Sequence, residues 1–130
     1  MVGGDVICTT VNEDMMLAPF SKAYYLILMR NGVIVHREIN PALSATNKRP
    51  AVAKRCVELG ANTVLAPHGS LCFPSYLILK RSGVNIYVTR PGDRLSAGVD
   101  GYNRISAWEV IYSSFLAIKE RIEEVFHRGE

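Results

Sequence analysis

The sequence predicts one α/β domain built on a mixed sheet, and three observations carry that reading. Between residues 62 and 89, two short β-branched apolar runs flank a helical stretch, the pattern of a parallel βαβ unit with a right-handed crossover. Ahead of them, Asn31-Gly32 sits between two apolar runs, the preferred two-residue hairpin turn. Behind them, one long helix with a regular apolar stripe closes the chain. At 130 residues the chain supports a single core and one domain over 1–130.

Asp5 to Val11 (DVICTTV) is a short apolar run rich in β-branched residues and too brief for a helix, which predicts a central strand buried on both faces. Asn12 to Lys22 mixes charge, Pro and Ser without a period and reads as a loop leaving that strand's carboxyl end. Ala23 to Arg30 and Val33 to Asn40 form the hairpin; pairing across the turn sets Leu28 opposite Val35, Ile27 opposite His36 and Leu26 opposite Arg37. His36, Arg37 and Glu38 mark the second arm as an edge strand. After a loop from Pro41 to Asn47, a helix runs to Leu59 and ends at Gly60, with Val52, Cys56 and Leu59 on its buried stripe. Asn62 to Ala66 is a strand, Pro67 to Cys72 its loop, Pro74 to Ser82 a helix stopped by Gly83, and Val84 to Thr89 a last strand. Arg90 to Ile105 has no period. Ser106 to Glu109 (SAWE) has the form of a capping box, in which the Ser hydroxyl and the Glu carboxylate each satisfy a free backbone N–H of the C-terminal helix, 106–127.

Composition narrows the function classes. With 48% apolar and 21% charged residues the chain is globular. Its longest apolar run, Tyr24 to Met29, is far short of the roughly 18 residues that cross a bilayer, and Met1 to Val6 holds no basic leader. The expectation is a cytoplasmic protein without a membrane partner. Fifteen basic and 12 acidic residues give +3, distributed as +5 over 1–105 and −2 over 106–130. No dense basic stripe of the kind nucleic-acid binding requires is present, although a small anionic ligand suits a mildly basic body. Cys8, Cys56 and Cys72 form no CxxC pair and no zinc-type cluster, so reduced thiols are the simplest reading, with Cys8 and Cys56 as small core residues.

Beyond composition, several segments carry a family pattern. Ala18-Pro19-Phe20-Ser21-Lys22-Ala23 stands where one family has Ser-x-His-Phe-Gly-Arg-Ala, and Ile39-Asn40-Pro41 follows the hairpin where it often has Asn-Pro. Val57-Glu58-Leu59-Gly60-Ala61-Asn62-Thr63-Val64 matches its helix end and fourth strand, and Leu79-Lys80-Arg81-Ser82-Gly83-Val84 its Leu-Lys-x-Ala-Gly-Ile. Over residues 5–89 the chain resembles the dinitrogenase iron–molybdenum cofactor biosynthesis family, the NifX-like proteins and the C-terminal domain of NifB. The resemblance implies a ribonuclease-H-like three-layer fold: a five-stranded mixed sheet in order 3-2-1-4-5, strand 2 antiparallel, with helices on both faces. It also implies non-catalytic binding and carriage of an iron–molybdenum or iron–sulfur cofactor or its precursor. The chain departs from the pattern at Pro19, which replaces a histidine, at Ser21 for Gly, at Lys22 for Arg, and at His68-Gly69 where the family has Gly-x-x-Gly.

The candidate site gathers Ser21, Lys22, His68, Gly69, Ser70 and Cys72, because both loops leave neighbouring parallel strands at the edge where open α/β sheets place ligands. His68 and Cys72 are the candidate metal ligands, an imidazole and a soft thiolate; the plainer alternatives are a solvated loop histidine and a thiol packed under a helix start. Lys48, Arg49, Lys54 and Arg55 crowd a helix start against the macrodipole, either as an anion pocket or, the preferred reading, as a solvated basic face. His36 and His127 carry no functional weight. An enzyme is not expected. The acids needed for a two-metal nuclease do not converge, and Ser70 beside His68 lacks both a nucleophile elbow and a third residue to orient the imidazole. The alternatives are a degenerate family member acting as a protein-interaction module and, last, a hydrolase with another site. Trp108, Ile111, Phe115, Ile118, Ile122 and Val125 recur at a period of 3.5 over 17 residues, about 26 Å of helix. The first three are expected to cover the domain's own core and the last three to meet a second copy in a homodimer.

Overall fold

The computed structural model describes residues 5–95 and 102–128, with side chains through residue 125. Residues 96–101 of the Arg90 to Ile105 connection, the amino-terminal four residues and the His127 side chain lie outside the described residues.

A six-stranded mixed sheet runs in the order β3-β2-β1-β4-β5-β6. β1 (Val6–Val11) lies at its centre, antiparallel to β2 (Tyr25–Arg30) and parallel to β4 (Thr63–Pro67); β5 (Asn85–Thr89) continues the parallel half. The expected 3-2-1-4-5 arrangement is therefore present, and β6 (Asn103–Arg104) adds a short antiparallel edge through Tyr87 and Val88. β1 is central because both of its faces are apolar: Cys8 joins the core beneath the helices, and Ile7 and Val11 the core on the opposite face.

The hairpin turn forms as its sequence demands, with φ of 52° at Asn31 and 76° at Gly32. Beyond it the expected register is corrected. Arg30 pairs with Val33 and Met29 with Ile34, but β3 (Val33–Ile39) then bulges, so that Leu28 faces His36 and Ile27 faces Arg37. The bulge costs little on an edge strand with no second partner, and it blunts that edge. Glu38 on this strand accepts from Arg55 at 2.8 and 2.9 Å and pairs with His36 at 2.7 Å.

A 3₁₀ turn at Pro41–Ser44 replaces part of the expected loop. Asn40 anchors it, donating to the carbonyls of Phe20 and Ala23 and accepting from Ala42 N–H, which fixes the first loop against the hairpin's end. α1 (Lys48–Glu58) and α2 (Phe73–Arg81) lie on one face of the sheet, over a core that holds Cys8, Phe20, Leu26, Leu28, Val64 and Ile86. Helices on both faces were expected, and this is corrected: among the described residues the opposite face is covered by loops. Met15 and Leu17 after β1, with Leu95 and Tyr102 after β5, pack on Ile7, Ile27, Met29 and Leu65. Backbone bonds between Leu17, Gly92 and Asp93 hold that cover together.

Cys8 and Cys56 are both fully buried, as expected of core residues, but they are bonded to each other. The disulfide joins β1 to α1 across Cα atoms 5.7 Å apart, leaving Cys72 as the free thiol. Reduced thiols throughout were expected. A buried bridge suits an oxidising compartment or the cytosol of a hyperthermophile, so cysteine usage does not place the chain in a reducing cytosol. No helix among the described residues is long and apolar enough to cross a membrane.

α3 (Ala107–Arg128) departs most from expectation. The capping box forms only by half: Ser106 Oγ accepts from Glu109 N–H at 3.3 Å, while the Glu109 carboxylate turns to the domain. The seam does not cover the core at all. Trp108, Ile111 and Phe115 are 79%, 44% and 69% exposed, and Ile118, Ile122 and Val125 are exposed as well. The helix docks through Glu109, Ser113, Leu116 and Glu120 instead, one face at i, i+4, i+7 and i+11.

Candidate functional site

The carboxyl ends of β1 and β4 meet through one hydrogen bond, Phe20 N–H to Ser70 Oγ at 3.1 Å. Phe20 and Leu71 are both fully buried in the core beneath the helices, which draws the two loops together. Ser70 is itself wholly buried, its hydroxyl accepting from Phe20 N–H. Ser21 Oγ is buried with no hydrogen-bond partner among the described residues, and Lys22 is exposed.

The His68 loop is roofed by α3. His68 N–H donates to the Thr89 carbonyl, and Gly69 adopts φ +90°, a conformation that favours glycine. The Glu109 carboxylate lies 2.6 Å from His68 Nδ1, accepts from Gly69 N–H at 2.8 Å and from Ser113 Oγ at 3.1 Å. Tyr112 stacks on the His68 ring at 4.3 Å between centroids. A carboxylate on Nδ1 holds the imidazole in one orientation and leaves Nε2 as the nitrogen able to take a ligand. Glu109 is thus the orienting residue for which the sequence offered no candidate near His68. On the other side of the loop, Arg49, only 5% exposed, donates Nε–H to the Gly69 carbonyl at 3.0 Å and forms a forked pair with Glu120 at 2.9 and 3.3 Å. The solvated basic face therefore holds for the exposed Lys54 but fails for Arg49, which clamps the His68 loop to α3.

Cys72 faces a different space. A cavity of about 550 Å³ opens between the first turns of α1 and α2 and the outer half of α3, lined among others by Lys48, Arg49, Cys72, Phe73, Ser114 and Arg121. Neither helix brings an acidic residue in its first turn, and neither Asn47 nor Cys72 bonds the first-turn N–H groups with its side chain. Both helices thus turn positive dipole ends to one cavity, beside Lys48, Arg121 and an Arg49 guanidinium that is already paired with Glu120. Glu120 and Glu124 also line it, the former neutralised by Arg49. The Cys72 thiol is 6% exposed and lies 3.2 Å from Ser75 Oγ. His68 is not among the lining residues. Tyr112, which holds His68, and Ser114, which bonds Phe73 N–H, stand on opposite flanks of α3.

A metal–sulfur cofactor can be tested against this donor set. Among the described residues, no three His, Cys, Asp or Glu side chains gather where a metal ion could sit. A cluster in the cavity would be held by charge, with Cys72 as a single soft ligand, rather than by a full protein ligand set.

No protein-family model matches the chain. No curated protein matches it in sequence. Among solved structures, the apo form of the orange protein (ORP) from Desulfovibrio gigas matches with a TM-score of 0.54 over 72% of this chain and 82% of that one, at 14% sequence identity. The chain therefore shares the α/β fold of the orange protein, a likeness of architecture at an identity too low to carry anything more.

Proposed function

We propose that this chain is a non-catalytic binding protein for an anionic ligand of the metal–sulfur class, an iron–sulfur or iron–molybdenum cofactor or its precursor, which it holds and hands on. The observation that carries the reading is the cavity at the first turns of two helices, lined by Lys48, Arg121, the Arg49–Glu120 pair, Glu124 and the free Cys72 thiol. A fold shared with a protein solved in an apo form supports it. His68, oriented by Glu109, is a second soft-metal contact on the other flank of α3. Anaerobic incubation with iron(II) and sulfide, followed by desalting and absorbance spectroscopy, tests the proposal. Retained visible absorbance that is lost in Lys48→Glu/Arg121→Glu and altered in Cys72→Ala is expected. No retained chromophore, or identical retention in those variants, would reject it.

One observation favours a second reading, a family-like module without cofactor. Glu109 places a carboxylate of the chain's own on Gly69 N–H and His68, where an anion at the end of β4 would bind. In that reading the same incubation leaves no chromophore, and Glu109→Ala does not restore one.

A further inference from the structure

We propose that the exposed seam of α3 is the interface of a two-fold homodimer in which two α3 helices pack antiparallel. The proposal stands independently of the ligand reading. All six seam residues, Trp108, Ile111, Phe115, Ile118, Ile122 and Val125, are between 44% and 79% exposed, because the helix is held to the domain through its opposite, largely polar face. Scaled by the full accessible area of each residue type, these exposures amount to about 700 Å² per chain. That exceeds the roughly 300–600 Å² of the largest apolar patch on an ordinary monomer. It approaches the roughly 800 Å² that each partner contributes to a stable interface.

The occupant follows from the period and from the order of side chains. A stripe that repeats every 3.5 residues matches another helix of the same period, knob into hole, and no polar residue interrupts it. A two-fold axis passing between Phe115 and Ile118 sets Trp108 against Val125 of the second copy, Ile111 against Ile122 and Phe115 against Ile118. Each large ring then meets a smaller aliphatic chain, so the layers keep an even thickness, whereas a parallel pair stacks Trp108 on Trp108 and Phe115 on Phe115. The same axis places the flanking cations beside neutral groups, Lys119 near Tyr112 and Arg121 near Ser114 of the second copy, so no like charges meet. Ile118 and Ile122 also line the cavity described above, and the second copy therefore lies along its mouth.

Sedimentation velocity on the full chain is expected to show a dimer, and Phe115→Glu, a position outside the cavity, a monomer with unchanged far-ultraviolet circular dichroism. A monomeric unmodified chain at about 100 µM, far above the range in which interfaces of this area associate, would overturn the proposal. Orientation is read by mild oxidation. Ile111→Cys/Ile122→Cys is expected to give a covalent dimer while neither single variant does, since the two positions are about 16 Å apart within one helix. Efficient crosslinking of Ile111→Cys to itself would overturn the antiparallel pairing.

Discussion

Glu109→Ala is the sharpest test of how α3 is held. The carboxylate side chain is 9% exposed and accepts from His68, Gly69 N–H and Ser113. The three losses are unequal. His68 is 49% exposed and returns to water, and the Ser113 hydroxyl can turn to a carbonyl one helical turn back, as serines in helices do. Gly69 N–H is different, being buried with Glu109 as its acceptor, so truncation removes a charge-assisted hydrogen bond and leaves a donor without one. Together these terms cost about 2–3 kcal/mol. For a chain of this length that is a fall in Tm of roughly 7–11 °C by differential scanning calorimetry. Glu109→Gln keeps an oxygen for Gly69 N–H and is expected to lose about 1 kcal/mol or less. A Glu109→Ala melting within 1 °C of the parent, or a glutamine variant as damaged as the alanine one, would refute the reasoning.

Three further outcomes are expected. Gly69→Ala combines a φ of +90° with a Cβ only 3.0 Å from Leu116 Cδ1, whereas Gly60→Ala has φ +83° and nothing within 4 Å. The first should destabilise by about 2 kcal/mol or more and the second by about 1 kcal/mol, a difference readable in urea unfolding, and equal losses would mean that α3 does not press on the His68 loop. Reducing the Cys8–Cys56 bridge, whose ends are 48 residues apart, removes a constraint worth about 4 kcal/mol in the chain-entropy account, so melting with and without a phosphine reductant should differ by roughly 15 °C. Glu38 has its carboxyl held below its ordinary 4.5 chiefly by hydrogen bonding to Arg55, which outweighs the opposing effect of burial, with a lesser contribution from His36. Its contribution to stability is therefore present above pH 4.5 and is lost as pH falls through the lower folded value, so the stability gap between the parent and Glu38→Gln should close on acidification below pH 4.5.

Much of the sheet was legible because it is written in local rules. Asn31-Gly32 dictates its turn, the β-branched runs at 6–11, 63–67 and 85–89 dictate strands, and Gly60 and Gly83 stop the helices before β4 and β5. What local rules do not reach is the choice between partners. A bulge after Ile34 costs the edge strand one unpaired residue and shifts every later pair, and nothing in the alternation of that segment marks where it falls. The face without helices was misread for a similar reason. Met15, Leu17, Leu95 and Tyr102 are scattered over two irregular segments, and their common role exists only once β1 and β5 are placed in the sheet. Cys8 and Cys56, far apart in sequence, become neighbours only because β1 is central and α1 crosses it.

The C-terminal helix shows why a periodic pattern predicts burial without naming the partner. A seam at 3.5-residue spacing states that something apolar must cover it, and the nearest apolar surface is the domain's own core, which is why the spacing by itself sends Trp108, Ile111 and Phe115 there. The structure assigns the inward face to Glu109, Ser113, Leu116 and Glu120 because the His68 loop and the start of α1 offer polar work that only polar residues can meet. Gly69 N–H needs an acceptor, and the buried Arg49 guanidinium needs a counter-charge. A buried cation without a partner costs more than an exposed isoleucine, so the polar face wins the domain and the apolar face is left outside. The same competition hid half of the site. Glu109 fitted the capping-box pattern and Arg49 a solvated basic turn, each consistent locally, and both are drawn away by one loop more than 18 residues distant in sequence from either. Where a helix docks through charge, its hydrophobic stripe is left facing away from its own domain.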